Sequence, residues 1–333
     1  MSEEPLCWEL DQRVGTIGMG SAPARDRSSQ PVALYIGGSG RSGSTLLECL
    51  IAEVPGVAVL GEVAHLWERG VVLNELCACG EPFDACPFWT AVGTLAFGGW
   101  DAVDVDRVRA LKDAVDRQRR ILRTARRRPS RSTREQADEY AEYFRRIYDA
   151  AAQVANAAIV VDSSKVAPTA LALSHDDRID LRVLHIVRDS RGVAYSWSKQ
   201  VSRPETGDAE LMPQLSARAS TQLWLSHNLS IGALAYRGVP VHRIRYEDLL
   251  ADVSATLAEA WRELDLPGVP DLPVVEGNSV ELHPTHSVAG NPMRFRTGLT
   301  TLRPDDAWKS KMSGRDRRLV TAMSYPALKW YRY

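Results

Sequence analysis

What this sequence has little of narrows it first. No stretch approaches the roughly 18–20 continuous apolar residues needed to span a bilayer, so no integral membrane segment is expected. The opening Met1-Ser2-Glu3-Glu4 is acidic and lacks the basic and apolar regions of a secretion signal, which points to a cytoplasmic protein. Net charge is almost nil: 41 basic against 42 acidic side chains leave −1. A surface that coats nucleic acid needs a large excess of Lys and Arg, so no nucleic-acid partner is expected. Cysteine is scarce and odd in number, five in 333 residues. A reducing compartment further argues against a disulfide framework. Internal repeats are absent, and no boundary splits the chain into two independent domains. The length suits one large α/β domain with a helical insert, and it says nothing of oligomeric state.

What is present is a strand, a glycine-rich loop and a helix. The β-formers Val32 to Ile36 run into Gly38-Ser39-Gly40-Arg41-Ser42-Gly43-Ser44-Thr45, and Leu46, Leu47, Leu50, Ile51 and Val54 then follow at helical spacing up to Pro55-Gly56. Glycines let such a backbone fold closely around an anion, with N–H groups pointing inward and a helix N-terminus adding partial positive charge. From Gly38 to Thr45 the spacing nearly matches the triphosphatase loop G-x-x-x-x-G-K-[ST]. However, Ser44 stands where the lysine belongs, and the charge sits at Arg41. Without that lysine the β/γ-phosphates lose their cation. The loop therefore predicts an anion site rather than ATP hydrolysis. A P-loop kinase or hydrolase with an atypical loop is the alternative, with Asp162 as its Mg²⁺ holder.

Residues 1–30 read as a loosely ordered lead-in to a single domain over 31–333. A second strand over 56–60 delivers Glu62 to the end of the sheet, where ligands bind in parallel α/β proteins. The competing reading of Glu62 is a helix-start carboxylate favoured by the helix dipole. Residues 101–156 form the helical insert. Its many arginines, Arg117 to Arg128, are either a lid for an anionic substrate or, the favoured reading, a solvated surface balanced by nearby acids. The apolar run over 158–162 predicts a strand buried on both faces, 181–187 a further strand and 239–245 a final one. Arg188 and Ser196 then share a crevice-facing turn suited to a second phosphate. Residues 201–215 suggest a mobile loop near the site, and 283–310 an irregular basic loop. Cys77, Cys79 and Cys86 begin a possible zinc site, with His65 or Cys49 as the fourth ligand. A packed loop under Pro87-Phe88-Trp89 is the favoured reading, and no metal is expected.

The two anion segments, in this order and separated by αβ units, resemble sulfotransferases that use 3′-phosphoadenosine 5′-phosphosulfate (PAPS), and the likeness covers most of the chain. The chain looks closer to the tyrosylprotein and bacterial carbohydrate or small-molecule branches than to the phenol and steroid branch. The resemblance implies a P-loop-like α/β fold. In it, Gly40, Arg41, Ser42, Gly43, Ser44 and Thr45 hold the 5′-phosphosulfate. Arg188 and Ser196 hold the 3′-phosphate, and Tyr246, within Arg245-Tyr246-Glu247-Asp248-Leu249, belongs to another recurring segment. Leu60-Gly61-Glu62 matches the segment of the catalytic glutamate, and Asp162-Ser163-Ser164-Lys165 that of the catalytic lysine. The Cys-x-Cys-Gly…Cys-Pro-Phe-Trp stretch and residues 290–296 resemble bacterial members, which adds Asn291, Arg294 and Arg296 as cofactor contacts. One departure stands out: the basic residue after the serine is out of register, with Lys199 one position early and Gln200 at the spot. The third 3′-phosphate contact then falls to the basic tail.

Sulfuryl transfer is an in-line displacement at a charged, oxygen-rich centre, so positioning and electrostatics carry it. Glu62 is the expected base, with His286 as second candidate. Lys165 and Arg41 are expected to neutralise developing charge, with Ser44 and Thr45 as donors and no metal required. The expected acceptor is a hydroxyl of a carbohydrate, glycolipid or secondary metabolite. A non-enzymatic, nucleotide-gated binding module is the remaining reading. Glu62 and Lys165, kept alongside both anion segments, speak against it.

Overall fold

A computed structural model describes residues 30–126, 128–202, 211–270, 274–275 and 278–333. The lead-in, apart from residue 30, and most of the polar loop over 201–215 lie outside the described residues.

Strand β1 (Val32–Gly38) is buried at every position, which is why its sequence is an unbroken apolar run. Its side chains alternate between the two faces of the sheet: Ala33 and Tyr35 join one hydrophobic cluster, while Val32, Leu34 and Ile36 join the other. The loop after β1 opens helix α1 (Ser44–Ala52), and β2 (Val57–Val59) follows. Strands β3 (Ile159–Lys165), β4 (Asp180–Val187) and β5 (Val241–Arg245) complete a five-stranded sheet in the order β2-β3-β1-β4-β5. All four pairings are parallel. The chain builds out from β1 to one side and later returns to the other. The strand order therefore reverses at β1, and the crevice opens at its carboxyl end. This is the expected α/β fold, a parallel sheet flanked by helices.

The helical insert begins at 63 rather than 101. Between β2 and β3 lie a 3₁₀ turn (Val63–His65), a π-helical stretch (Leu66–Val72), and helices α2 (Pro87–Phe97), α3 (Val105–Val115), α4 (Ile121–Thr124) and α5 (Arg131–Ala155). The early part shows no clean 3.6-residue stripe because its large side chains make a compact aromatic knot. Trp67, Phe83, Trp89 and Phe97 all pack within about 6 Å of Trp100. In α5 the stripe is regular: Tyr140, Phe144, Ile147 and Ala151 are buried, and Ser130 caps the N-terminus by accepting from the Thr133 amide. Several of the insert's arginines pair with neighbouring acids, Arg107 with Glu139, Arg109 with Glu68 and Arg117 with Asp113, while Arg120 and Arg123 donate to the Ala114 carbonyl.

After β3 come α6 (Ala167–Leu173), α7 (Ser190–Ser198) beyond β4, α8 (Ala217–Ala235), and α9 (Tyr246–Ala251) and α10 (Val253–Glu263) beyond β5. The tail is more ordered than its sequence suggests. Strands β6 (Val274–Val275), β7 (Ser279–Leu282) and β8 (Gly298–Thr301) form a small antiparallel sheet, followed by α11 (Ala307–Lys311) and α12 (Gly314–Trp330). No described helix is long and apolar enough to cross a membrane.

Candidate functional site

A cleft of about 550 Å³ opens at the carboxyl ends of β1, β3 and β4, a volume typical of small-molecule sites. Gly40, Arg41, Gly43, Ser44 and Thr45 line one end, Glu62 and Lys165 the middle, and Arg188, Ser196, Tyr246 and Asn291 the remainder. Ser42 is fully buried and does not line it.

The loop is shaped by close approach. Gly43 has φ 94°, and a Cβ there would sit 2.5 Å from Cδ2 of Tyr246, so only glycine fits. Arg41 also takes a left-handed backbone (φ 68°), uncommon for a side chain of this size. Its guanidinium lies 5.1 Å from the Trp197 ring and 3.3 Å from the Met212 sulfur, while its Nε is buried with no partner. The hydroxyls of Ser39 and Ser42 are likewise buried without partners. Buried polar groups are normally satisfied. Of these three residues only Arg41 lines the cleft, where a guanidinium suits an oxygen-rich anion. Burial lowers the Arg41 pKa, with Glu62 opposing that shift.

Lys165 ends β3, also at positive φ (74°), where the pairing of β1 with β3 slips between Tyr35 and Gly37. Its ammonium donates to Glu62 Oε1. Glu62 stands at the N-terminus of the 3₁₀ turn and makes no side-chain capping bond there. Burial pushes the Glu62 carboxyl up, but the Lys165 ammonium and His65 outweigh it and hold the group below the usual carboxylate range. His65 Nε2 stands 3.6 Å from Glu62 Oε2. Gly290 (φ 135°) closes the other side, where a Cβ would lie 3.3 Å from Glu62 Oε1.

Arg188, at the end of β4, is buried with its guanidinium 4.5 Å from the Tyr246 ring. The Trp224 indole fixes this corner by donating to the Arg188 carbonyl at 2.9 Å. Arg188 Nη2 is 3.3 Å from the Asp305 carboxylate, and Lys199 Nζ is 3.2 Å from the same group. At this end the tail thus supplies an acid rather than a further cation.

Three of the expected tail contacts need revision. Asn291 lines the cleft, but Arg294 does not: it is buried and donates to the carbonyls of Gly290 (3.3 Å) and Leu76 (3.0 Å), bracing the loop. Arg296 is exposed and outside the cleft. His286, the second candidate base, is outside it as well; its Nδ1 faces the sulfurs of Cys86 (3.3 Å) and Cys77 (3.8 Å). A proton acceptor turned toward thiols is badly placed to serve the cleft.

Sequence reasoning missed three groups. Asp305 is one. Glu48 of α1 is buried beneath the site, accepting from Ser163 Oγ at 2.5 Å and from Ser287 Oγ. His227 and Leu223, one turn apart on α8, line the cleft together, and burial plus the Lys165 charge push His227 down to about 4. The i, i+4 spacing was the available signal for His227. Asp162, the Mg²⁺ holder of the kinase reading, is buried outside the cleft, where it accepts from the Tyr148 hydroxyl (2.6 Å) and the Ser164 amide (2.8 Å).

No protein-family model matches this chain, and no curated protein does. Among solved structures, the chain is similar to a sulfotransferase domain from the curacin biosynthetic pathway (19% identity, TM-score 0.47, covering 89% of this chain and 99% of that one). It is also similar to a sulfotransferase domain from the olefin synthase of Synechococcus PCC 7002 (19%, 0.45, 89% and 95%). A third similar structure is a sulfotransferase from Mycobacterium tuberculosis H37Rv (16%, 0.38, 72% and 68%).

Proposed function

We propose that this chain is a PAPS-dependent sulfotransferase acting on a hydroxyl of a carbohydrate, glycolipid or secondary metabolite. One observation carries the reading: a single cleft gathers the glycine loop with Arg41, the Arg188–Tyr246 corner, and a buried Glu62–Lys165 pair between them. Two separated anion sites flanking an acid–base pair suit a donor charged at both ends. A triphosphate kinase would need a loop lysine and an accessible metal-holding acid, and here Ser44 and a sequestered Asp162 stand in those places.

PAPS supplies the sulfuryl group and a bisphosphate leaving group, and the other tasks fall to the chain. The loop from Gly40 to Thr45, with Arg41, holds the 5′ end, while Arg188 and Ser196 hold the 3′-phosphate. Glu62 takes the acceptor's proton, a role worth about 10²–10⁴-fold in rate. Lys165 and Arg41 neutralise charge at the leaving oxygen. As Lys165 shares its charge with the leaving group, its hold on Glu62 weakens. Once that hold loosens, the upward push of burial dominates and Glu62 becomes a stronger base.

Calorimetric titration with 3′-phosphoadenosine 5′-phosphate, run against ATP with Mg²⁺, tests this reading. Binding of the 3′-phosphorylated nucleotide is expected, weakened at least ~30-fold in Arg188→Ala because a buried charge contact is lost. Preference for ATP with Mg²⁺ would overturn the proposal in favour of the kinase.

A further inference from the structure

Outside the cleft, three thiols and one imidazole converge from two distant segments. Cys77, Cys79, Cys86 and His286 place their sulfur and nitrogen atoms all within 4.8 Å of one another. The sulfurs of Cys77 and Cys86 are 3.6 Å apart, and those of Cys79 and Cys86 are 3.7 Å apart. His286 Nδ1 is 3.3 Å from Cys86 and 3.8 Å from Cys77. Around a tetrahedral zinc with Zn–S near ~2.3 Å and Zn–N near ~2.0–2.1 Å, sulfurs stand about 3.8 Å apart and sulfur and nitrogen about 3.6 Å apart. The four distances given are close to the edges of that tetrahedron, and the remaining two are within 4.8 Å.

We infer that Cys77, Cys79, Cys86 and His286 form a structural zinc site. A Cys₃His set is closed, with no position left for a substrate, and thiolates favour zinc over magnesium or calcium. The surroundings orient the ligands as a metal site requires. The Phe88 ring stacks on His286 at 4.8 Å and 9°, and the Trp89 indole donates to the His286 carbonyl at 2.8 Å. Cys77 and Cys79 sit on a tight turn in which the Cys77 amide donates to Glu81 (2.8 Å) and the Gly80 amide returns to Cys77 (2.9 Å). The fourth ligand is neither of the two that the sequence suggested. His65 stands beside Glu62, and Cys49 packs in the core around α1.

The site clips the tail to the insert. His286 lies four residues before Gly290, which abuts Glu62, so the metal fixes the loop that closes the cleft. Zinc content is independent of the sulfotransferase reading, so either can fail alone.

The test is metal analysis of the full chain, purified without added metal or chelator and again after zinc addition and dialysis. About one zinc per chain is expected. Cys79→Ser and His286→Ala, both at half-buried positions, should retain less than a tenth of that while keeping the wild-type circular dichroism. Cobalt substitution of the wild type should give the thiolate charge-transfer and tetrahedral ligand-field bands. That arm decides the matter even if a variant misfolds. Stripping the metal should speed proteolysis within 283–291. A wild-type chain that stays zinc-free after loading, variants that retain zinc, or a disulfide among the three cysteines in non-reducing mass spectrometry would each overturn the inference.

Discussion

At the scale of single residues, the contact with most consequence is the one between Glu62 and Lys165, because each sets the other's reactivity. Glu62→Gln is expected to lower kcat by about 10²–10⁴-fold while leaving the dissociation constant of the bisphosphate within a few-fold. Steady-state kinetics with calorimetry checks this, and an unchanged kcat would shift the base role to His227. The pH profile follows from the same pair. In the free chain Lys165 and His65 hold the Glu62 pKa down, so kcat/KM for the donor should stay high to a lower pH than an ordinary glutamate, about 4.3, would allow. With donor bound and Lys165 engaged, the acid limb of kcat should sit at higher pH. Asp162 behaves in the opposite sense. Burial raises it from 3.8 to about 6, so the folded chain binds its proton more tightly than the unfolded one. Stability should therefore decline as pH rises from about 4 to 6, by at most ~3 kcal/mol, and level off above. Chemical denaturation across that window should show a shallower decline in Asp162→Asn than in the wild type, since Glu48 and Asp116, also raised by burial, remain.

At the scale of elements, helices α2 to α5 of the insert are scaffold rather than lid, since none of their residues lines the cleft. Arg107 and Arg117 each pair with a nearby acid and do not line the cleft. Replacing either by alanine should change the dissociation constant of the bisphosphate by less than twofold, and a larger loss would restore the lid. How much of this was legible in sequence depends on how each element is buried. Strands β1, β3 and β4 were readable because both faces are covered, leaving unbroken apolar runs such as Val32 to Ile36. The segment from Val63 to Trp100 was not, because 3₁₀ and π turns with an aromatic knot erase helical periodicity. The tail sheet was not either: strands of two to four residues are too short to show alternation. In the cleft, Glu62 and Arg188 were found from their place beyond strand ends, whereas Lys165 came from the resemblance of Asp162-Ser163-Ser164-Lys165 to a known segment. Arg294 was misjudged because a sequence shows a charge but not the carbonyls of Gly290 and Leu76 that hold it.

At the scale of the whole molecule, nearly balanced charge conceals a local contest. Asp305 pairs with both Arg188 and Lys199, and although burial raises its pKa, those two cations bring it below the usual range. It is thus an anion at neutral pH, beside the cations proposed for the 3′-phosphate. Asp305→Asn should tighten binding of the bisphosphate by up to roughly fivefold, about 1 kcal/mol, as read by titration at low and moderate salt. Weaker binding would mean that Asp305 aims Arg188 rather than competing for it. The tail's long reach also bears on how the protein is made. Ser287 bonds to Glu48, His283 to Glu53 and the Val288 amide to the Leu60 carbonyl, each across more than two hundred residues of chain. A ribosome has therefore finished every strand of the parallel sheet before it delivers the segment that shuts the cleft. Contacts so far apart in sequence form late. In refolding, recovery of ligand binding should trail recovery of secondary structure, so a half-made chain holds a sheet without a working pocket.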